Sequence, residues 1–183
     1  MNAITRDPLL AIAKGLLWFL MACSVVAAAA CVAAVPLLFI FQSEISIELA
    51  KEAHHFSPRE FVPIVIGLLT VATVLVLILF RIFQLLKRIV DTVGAGDPFV
   101  PINATRLTQM AWLTLGVQLA SALIGGIATL LDRVAGDAPH IRGEIQVDSG
   151  VSGNGLLLML ILFILARVFR KGAEMRAELE GTV

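Results

Sequence analysis

Apolar residues dominate four long stretches of this chain, and the polar residues gather between them. Gly15 to Phe41 holds 27 residues without a charge. Phe61 to Phe80 adds 20 more, with Pro63 near the start, where proline is tolerated. Beyond Arg81, residues Ile82, Phe83, Leu85, Leu86, Ile89, Val90 and Val93 keep helical spacing, with Lys87, Arg88 and Asp91 between them. That periodicity marks an amphipathic continuation of the helix at the headgroups. Met110 to Leu131 is the third run, with Gly116, Ala120, Gly125 and Gly126 as close-contact positions. The fourth is shorter: Leu156 to Ala166 gives 11 apolar residues, and Val151 to Phe169 gives 19 if Arg167 snorkels towards the headgroups. A crossing helix needs about 20. The pattern therefore predicts an all-α membrane protein with four transmembrane helices, at about 15–41, 61–83, 106–131 and 152–170. Helices two and four extend beyond the bilayer.

The first run carries features of a leader: basic residues precede it, and Ala28-Ala29-Ala30 is the kind of small-residue site at which one is cleaved. Ala30-Cys31 faintly resembles a lipoprotein box. The apolar run nevertheless continues through Phe41, which points to an uncleaved helix, tilted or kinked at Pro36. Cys23 and Cys31 lie eight residues apart, roughly 12 Å along a helix, too far for a disulfide.

Between the second and third runs, Gly94 to Trp112 crowds turn residues, an aromatic and a charge together. Gly94 and Gly96 suit a helix end, while Pro98 and Pro101 force the chain between them to be extended or turned. Asn103 fits as the N-cap of the third helix. The simple reading is a well-made connector. The sharper one makes Gly96, Asp97, Pro98, Phe99, Pro101, Asn103 and Arg106 a surface that binds a partner or latches helices together. In the tail, Arg167, Arg170, Glu178 and Glu180 are the candidate contacts.

The two remaining loops, 42–60 and 132–155, show alternation at 44–49 and 140–147. Period two predicts strands that pair into a small extracytoplasmic β-cap, although Glu48 to His55 also fits a short amphipathic turn. His54, His55 and His140 fall in these loops. Imidazole and carboxylate suit zinc or copper, but the spacing matches no recognised ligand set, and solvated loop histidines are the simpler reading.

Composition sharpens the class. Of 183 residues, 58% are hydrophobic and 15% charged, with a mean hydropathy of +0.93, well outside soluble averages. Fourteen basic residues balance fourteen acidic ones, which removes nucleic acid as a direct partner. Ten lysines and arginines fall in the N-terminus, the 81–109 segment and the tail, against four in the other two loops. The positive-inside rule places both termini and the 84–109 connector in the cytoplasm. No charged residue or histidine lies mid-span, against an ion-coupled carrier or a bis-histidine haem bundle. No nucleophilic triad, phosphate loop or cofactor motif occurs, so an enzyme is not expected. Gln118 reads as interhelical glue before it reads as a ligand contact.

Gly96-Asp97-Pro98-Phe99-Val100-Pro101, followed by Asn103-Ala104 and Arg106-Leu107, resembles the most recognisable motif of an uncharacterised bacterial membrane-protein family. That family is a domain of unknown function typified by the Bacillus YoaS protein. Leu165-Ala166-Arg167-Val168-Phe169, Gly172 and the ending Glu178-Leu179-Glu180-Gly181-Thr182-Val183 are similar to its C-terminus. The resemblance implies a four-helix inner-membrane protein, some relatives of which are encoded beside small helix-turn-helix regulators. It implies no catalytic residues.

The expectation is a non-enzymatic, multi-pass inner-membrane protein without cofactor: a sensor or regulatory scaffold acting through its cytoplasmic loop and tail. Its partners would be membrane lipids and a small helix-turn-helix regulator or other cytosolic protein, with homo-oligomerisation also compatible. The alternative is a subunit of an oligomeric transporter or channel, offering only Ser24, Thr70, Thr73, Gln118 and Ser121 as polar lining.

Overall fold

A computed structural model describes residues 8–41, 58–135 and 152–180. Four α-helices occur among the described residues: α1 (Pro8–Ile40), α2 (Pro58–Gly94), α3 (Pro101–Ala135) and α4 (Gly153–Glu180). Three of them are long and apolar enough to cross a membrane, over Pro8–Ile40, Val62–Gly94 and Pro101–Leu130, so the protein is a multi-pass membrane protein. No strand is found among the described residues. The segments expected to form a β-cap, 44–49 and 140–147, lie outside them, as do His54, His55 and His140.

The helices are longer than the apolar runs alone suggested. α1 begins at Pro8, before Lys14, because a charge near a helix end can reach water without breaking the helix. Pro36 lies inside α1. α2 runs unbroken past Arg81 to Gly94, along the amphipathic stretch. α3 begins at Pro101, five residues before the expected start. Proline lacks the N–H that a first-turn residue cannot use, and its fixed φ suits the first helical position.

Contacts divide the chain into two compact units. The first holds α1 up to Val25, α2 from Ile78, α3 up to Val117, and α4. Its core is Leu85 and Ile89 of α2, Leu107, Met110 and Ala111 of α3, and Leu162 and Ala166 of α4. On α3 the buried positions Asn103, Leu107, Met110, Ala111, Thr114 and Gln118 recur every three or four residues, forming one stripe. Between helices in lipid, apolar contact gains little over lipid tails, so close approach through small residues matters more. Ala111 is fully buried and Ala166 nearly so. An added Cβ at Gly116 would stand 3.4 Å from the Ile78 side chain.

Within the first unit, α1 packs along a narrow seam. Leu17 and Ser24, two turns apart, are its only buried residues among those described, and the Ser24 hydroxyl donates to the Leu20 carbonyl at 2.8 Å. Near the N-terminal end, Lys14 pairs with Asp91 at 2.9 Å. Lys87 stands 4.9 Å above the Trp18 ring and 3.9 Å from Asp91. Exposed pairs of this kind contribute at most about 1 kcal/mol each.

The second unit holds α1 from Val26, α2 up to Leu77 and α3 from Gln118, together with Ser152. In it, Gln118 is buried and its amide pairs with the backbone just ahead of α4. Its oxygen accepts from the Ser152 N–H at 3.0 Å, and its nitrogen donates to the Ser152 carbonyl at 3.4 Å.

Candidate functional site

α2 ends in a Schellman motif built on Gly96. The Asp97 N–H donates to the Thr92 carbonyl at 3.1 Å, and the Gly96 N–H to the Val93 carbonyl at 3.0 Å. Those are the two bonds of the motif, and Gly96 occupies its left-handed position with φ 87°. Only glycine holds that conformation cheaply. The residue after it in such motifs is commonly apolar and folds back on the helix. Here it is Asp97, which points elsewhere.

Asp97 pairs with Arg176, near the end of α4. Two residues on, the Phe99 ring lies 5.5 Å from that of Phe169, inclined at 47°. The same ring covers Gly172, where an added Cβ would sit 2.6 Å from Phe99 Cδ1 and 2.9 Å from Cε1. Phe169, Gly172 and Arg176 are spaced three and four apart, hence on one face of α4. The connector is thus fastened along that face by a hydrophobic notch and an ion pair. Asp97, Phe99 and Arg176 all remain 40% exposed or more.

Beneath the connector, Asn103 is fully buried. Its side-chain nitrogen donates to Thr92 Oγ1 at 2.7 Å and to the Pro98 carbonyl at 2.9 Å. Its side-chain oxygen accepts from Arg106 Nη1 at 2.9 Å. Thr92 in turn donates to the Ile89 carbonyl at 2.7 Å, and Arg106 Nη1 also reaches the Arg88 carbonyl at 3.1 Å. The expected N-cap role of Asn103 is therefore corrected. The residue lies inside the first turn, where its own N–H bonds to the Val100 carbonyl at 2.9 Å, and its side chain joins the end of α2 to the start of α3. Arg106 thus ties the Asn103 side chain to the Arg88 carbonyl of α2.

Of the sequence-derived candidates, Gly96, Asp97, Pro98, Phe99, Asn103 and Arg106 all take part in this cluster. Pro101 is the first residue of α3. Arg167 and Arg170 lie apart from the connector, in an open groove of about 650 Å³ with Thr108, Phe163, Ala166, Lys171 and Glu174. Glu178 is exposed on α4, and Glu180 is its last residue. Arg176 and Gly172 were the positions that local reading of the chain did not tie to the connector. Gly172 carried a signal only as one of the residues similar to the family's C-terminus, which names no contact. No group of three or more metal-ligating side chains occurs among the described residues.

Residues 44–183 match the family described as "Protein of unknown function (DUF2975)". The chain belongs to that family. The match takes in the whole of α2, the connector, α3 and α4, and α1 lies ahead of it. No curated protein and no solved structure matches the chain.

Proposed function

We propose that this DUF2975 protein is a non-enzymatic regulatory scaffold of the bacterial inner membrane, whose connector and α4 form a releasable latch. In this reading α4 is the fourth span, and the latch and both termini face the cytoplasm. The concentration of lysine and arginine around that end supports the orientation. The observation that carries the proposal is the fastening of Asp97 and Phe99 to Arg176 and Gly172 by exposed contacts. An exposed ion pair contributes about 0.2–1 kcal/mol, so a partner that prefers the open form can shift the balance by ordinary binding energy. The buried Asn103 network beneath it stays closed and keeps the connector in register. The likeness of the connector to the Bacillus YoaS motif, with relatives encoded beside small helix-turn-helix regulators, favours a cytosolic regulator as the partner.

The transporter reading loses its main polar residue, because the Gln118 amide is committed to Ser152. Capture of cytosolic proteins on crosslinked membranes tests the latch. Arg176→Asp should increase capture, and adding Asp97→Arg should return it to the wild-type level. Equal capture by all three forms would sink the proposal.

A further inference from the structure

The groove beside Arg167 is separate from the latch contacts and has its own chemistry. Its walls are Thr108 of α3 and Phe163, Ala166, Arg167, Arg170, Lys171 and Glu174 of α4. Three cations face one carboxylate, and that carboxylate is already taken by Lys171 at 3.3 Å. Arg167 and Arg170 are exposed and have no ion-pair partner among the described residues. Thr108 donates its proton to the Ala104 carbonyl at 2.9 Å, which leaves the cationic side chains as the donors of the groove.

The same groove is apolar at its other end. Phe163 meets Trp112 edge-on, with ring centroids 5.8 Å apart, and Trp112 is 61% exposed. Tryptophan is enriched at headgroup level in membrane proteins. On the groove's own face of α4, Leu160 and Leu156 lie three and seven residues before Phe163 and are exposed. Charge and an open apolar face therefore follow one another along α4, with the Trp112 ring of α3 against Phe163.

We propose that this groove binds an anionic phospholipid, its phosphate held by Arg167 and Arg170 and an acyl chain lying along α4. Guanidinium forks match phosphate oxygens in paired bonds, and basic recesses between membrane helices attract acidic headgroups. Lys171 adds charge while held by Glu174. The site rests on the proposed placement of α4 in the membrane, and it stands or falls independently of the latch.

The test uses the full chain reconstituted in phosphatidylcholine membranes containing phosphatidylglycerol, with retained lipid counted by native mass spectrometry. Wild type should retain phosphatidylglycerol in excess of its share of the membrane. Arg170→Gln should lower that enrichment about fivefold, the value of one charge near a headgroup surface. Arg167→Gln should act alike, Arg170→Lys should keep most of it, and Glu174→Gln should raise it. Asp97→Arg should leave it unchanged, which separates this site from the latch. No enrichment in wild type, or none lost in the Arg167→Gln/Arg170→Gln double variant, would overturn the assignment. Displacement of the lipid by inorganic phosphate would also overturn it, since the occupant would then be the free anion.

Discussion

Phe99 lies so close over Gly172 that a β-carbon added there would stand 2.6 Å from its ring. The aromatic residue of the connector and the glycine of α4 are thus two halves of one joint. Glycine in a helix interior costs about 1 kcal/mol relative to alanine, and overpacking a tight contact costs about 1–3 kcal/mol. The two effects can be separated.

Gly172→Ala should lower thermal stability in detergent, because the ring must leave Phe169 to make room. In a Phe99→Ala background the same change should raise stability by about 1 kcal/mol, the helix-propensity gain alone. The reversal of sign is the prediction. The same sign in both backgrounds would show that Phe99 does not occupy the notch.

Asn103→Leu should destabilise by about 1–3 kcal/mol, since it leaves Thr92, the Pro98 carbonyl and Arg106 each short of a partner. Asn103→Asp should be no better. A carboxylate keeps the contact with Arg106 but turns lone pairs towards Thr92 Oγ1 and the Pro98 carbonyl. Chemical or thermal unfolding of the three proteins decides this, and a neutral Asn103→Asp would contradict it.

The two glycines at the end of α2 should behave differently. Gly96→Ala places a side chain at φ 87° and should cost about 1–2 kcal/mol. At Gly94 an added Cβ would meet Leu10 at 3.5 Å and Lys14 at 3.6 Å, ordinary contact, so Gly94→Ala should be neutral or slightly stabilising. Parallel melting curves test the pair.

Gln118→Leu should remove the acceptor of the Ser152 N–H. The Ser152 N–H, held by the Gln118 oxygen at 3.0 Å, should exchange its hydrogen faster, with a stability loss of about 1–2 kcal/mol. Unchanged exchange at residue 152 would show that the amide pair does not hold the helix start.

How far the chain announced this architecture depends on the kind of signal. The apolar runs and their continuation past Arg81 to Val93 are local patterns, and α2 follows them to Gly94. Gly96 as a helix stop was legible because a left-handed position favours glycine whatever lies around it. Asn103 was not. A polar residue two positions after Pro101 looks the same whether its side chain caps a helix or crosses to Thr92, and burial decides between them. The pairs Asp97–Arg176 and Lys14–Asp91 join residues 79 and 77 positions apart, and nothing local marks such partners. Gly172 stood out only in the likeness to the family's C-terminus, and its role follows from the Phe99 ring above it, 73 residues away in the chain.

The central claim is that the connector is held on α4 and presents itself to a cytosolic partner on release. Photo-crosslinking inside living cells from a probe at position 99 tests it most directly. In the otherwise wild-type chain the probe should react mainly within the chain, with α4 around Phe169 and Gly172. With Arg176→Glu added, these internal adducts should fall and a discrete adduct to a cytosolic protein should appear. Internal adducts unchanged by Arg176→Glu, with no partner adduct in either form, would contradict the account.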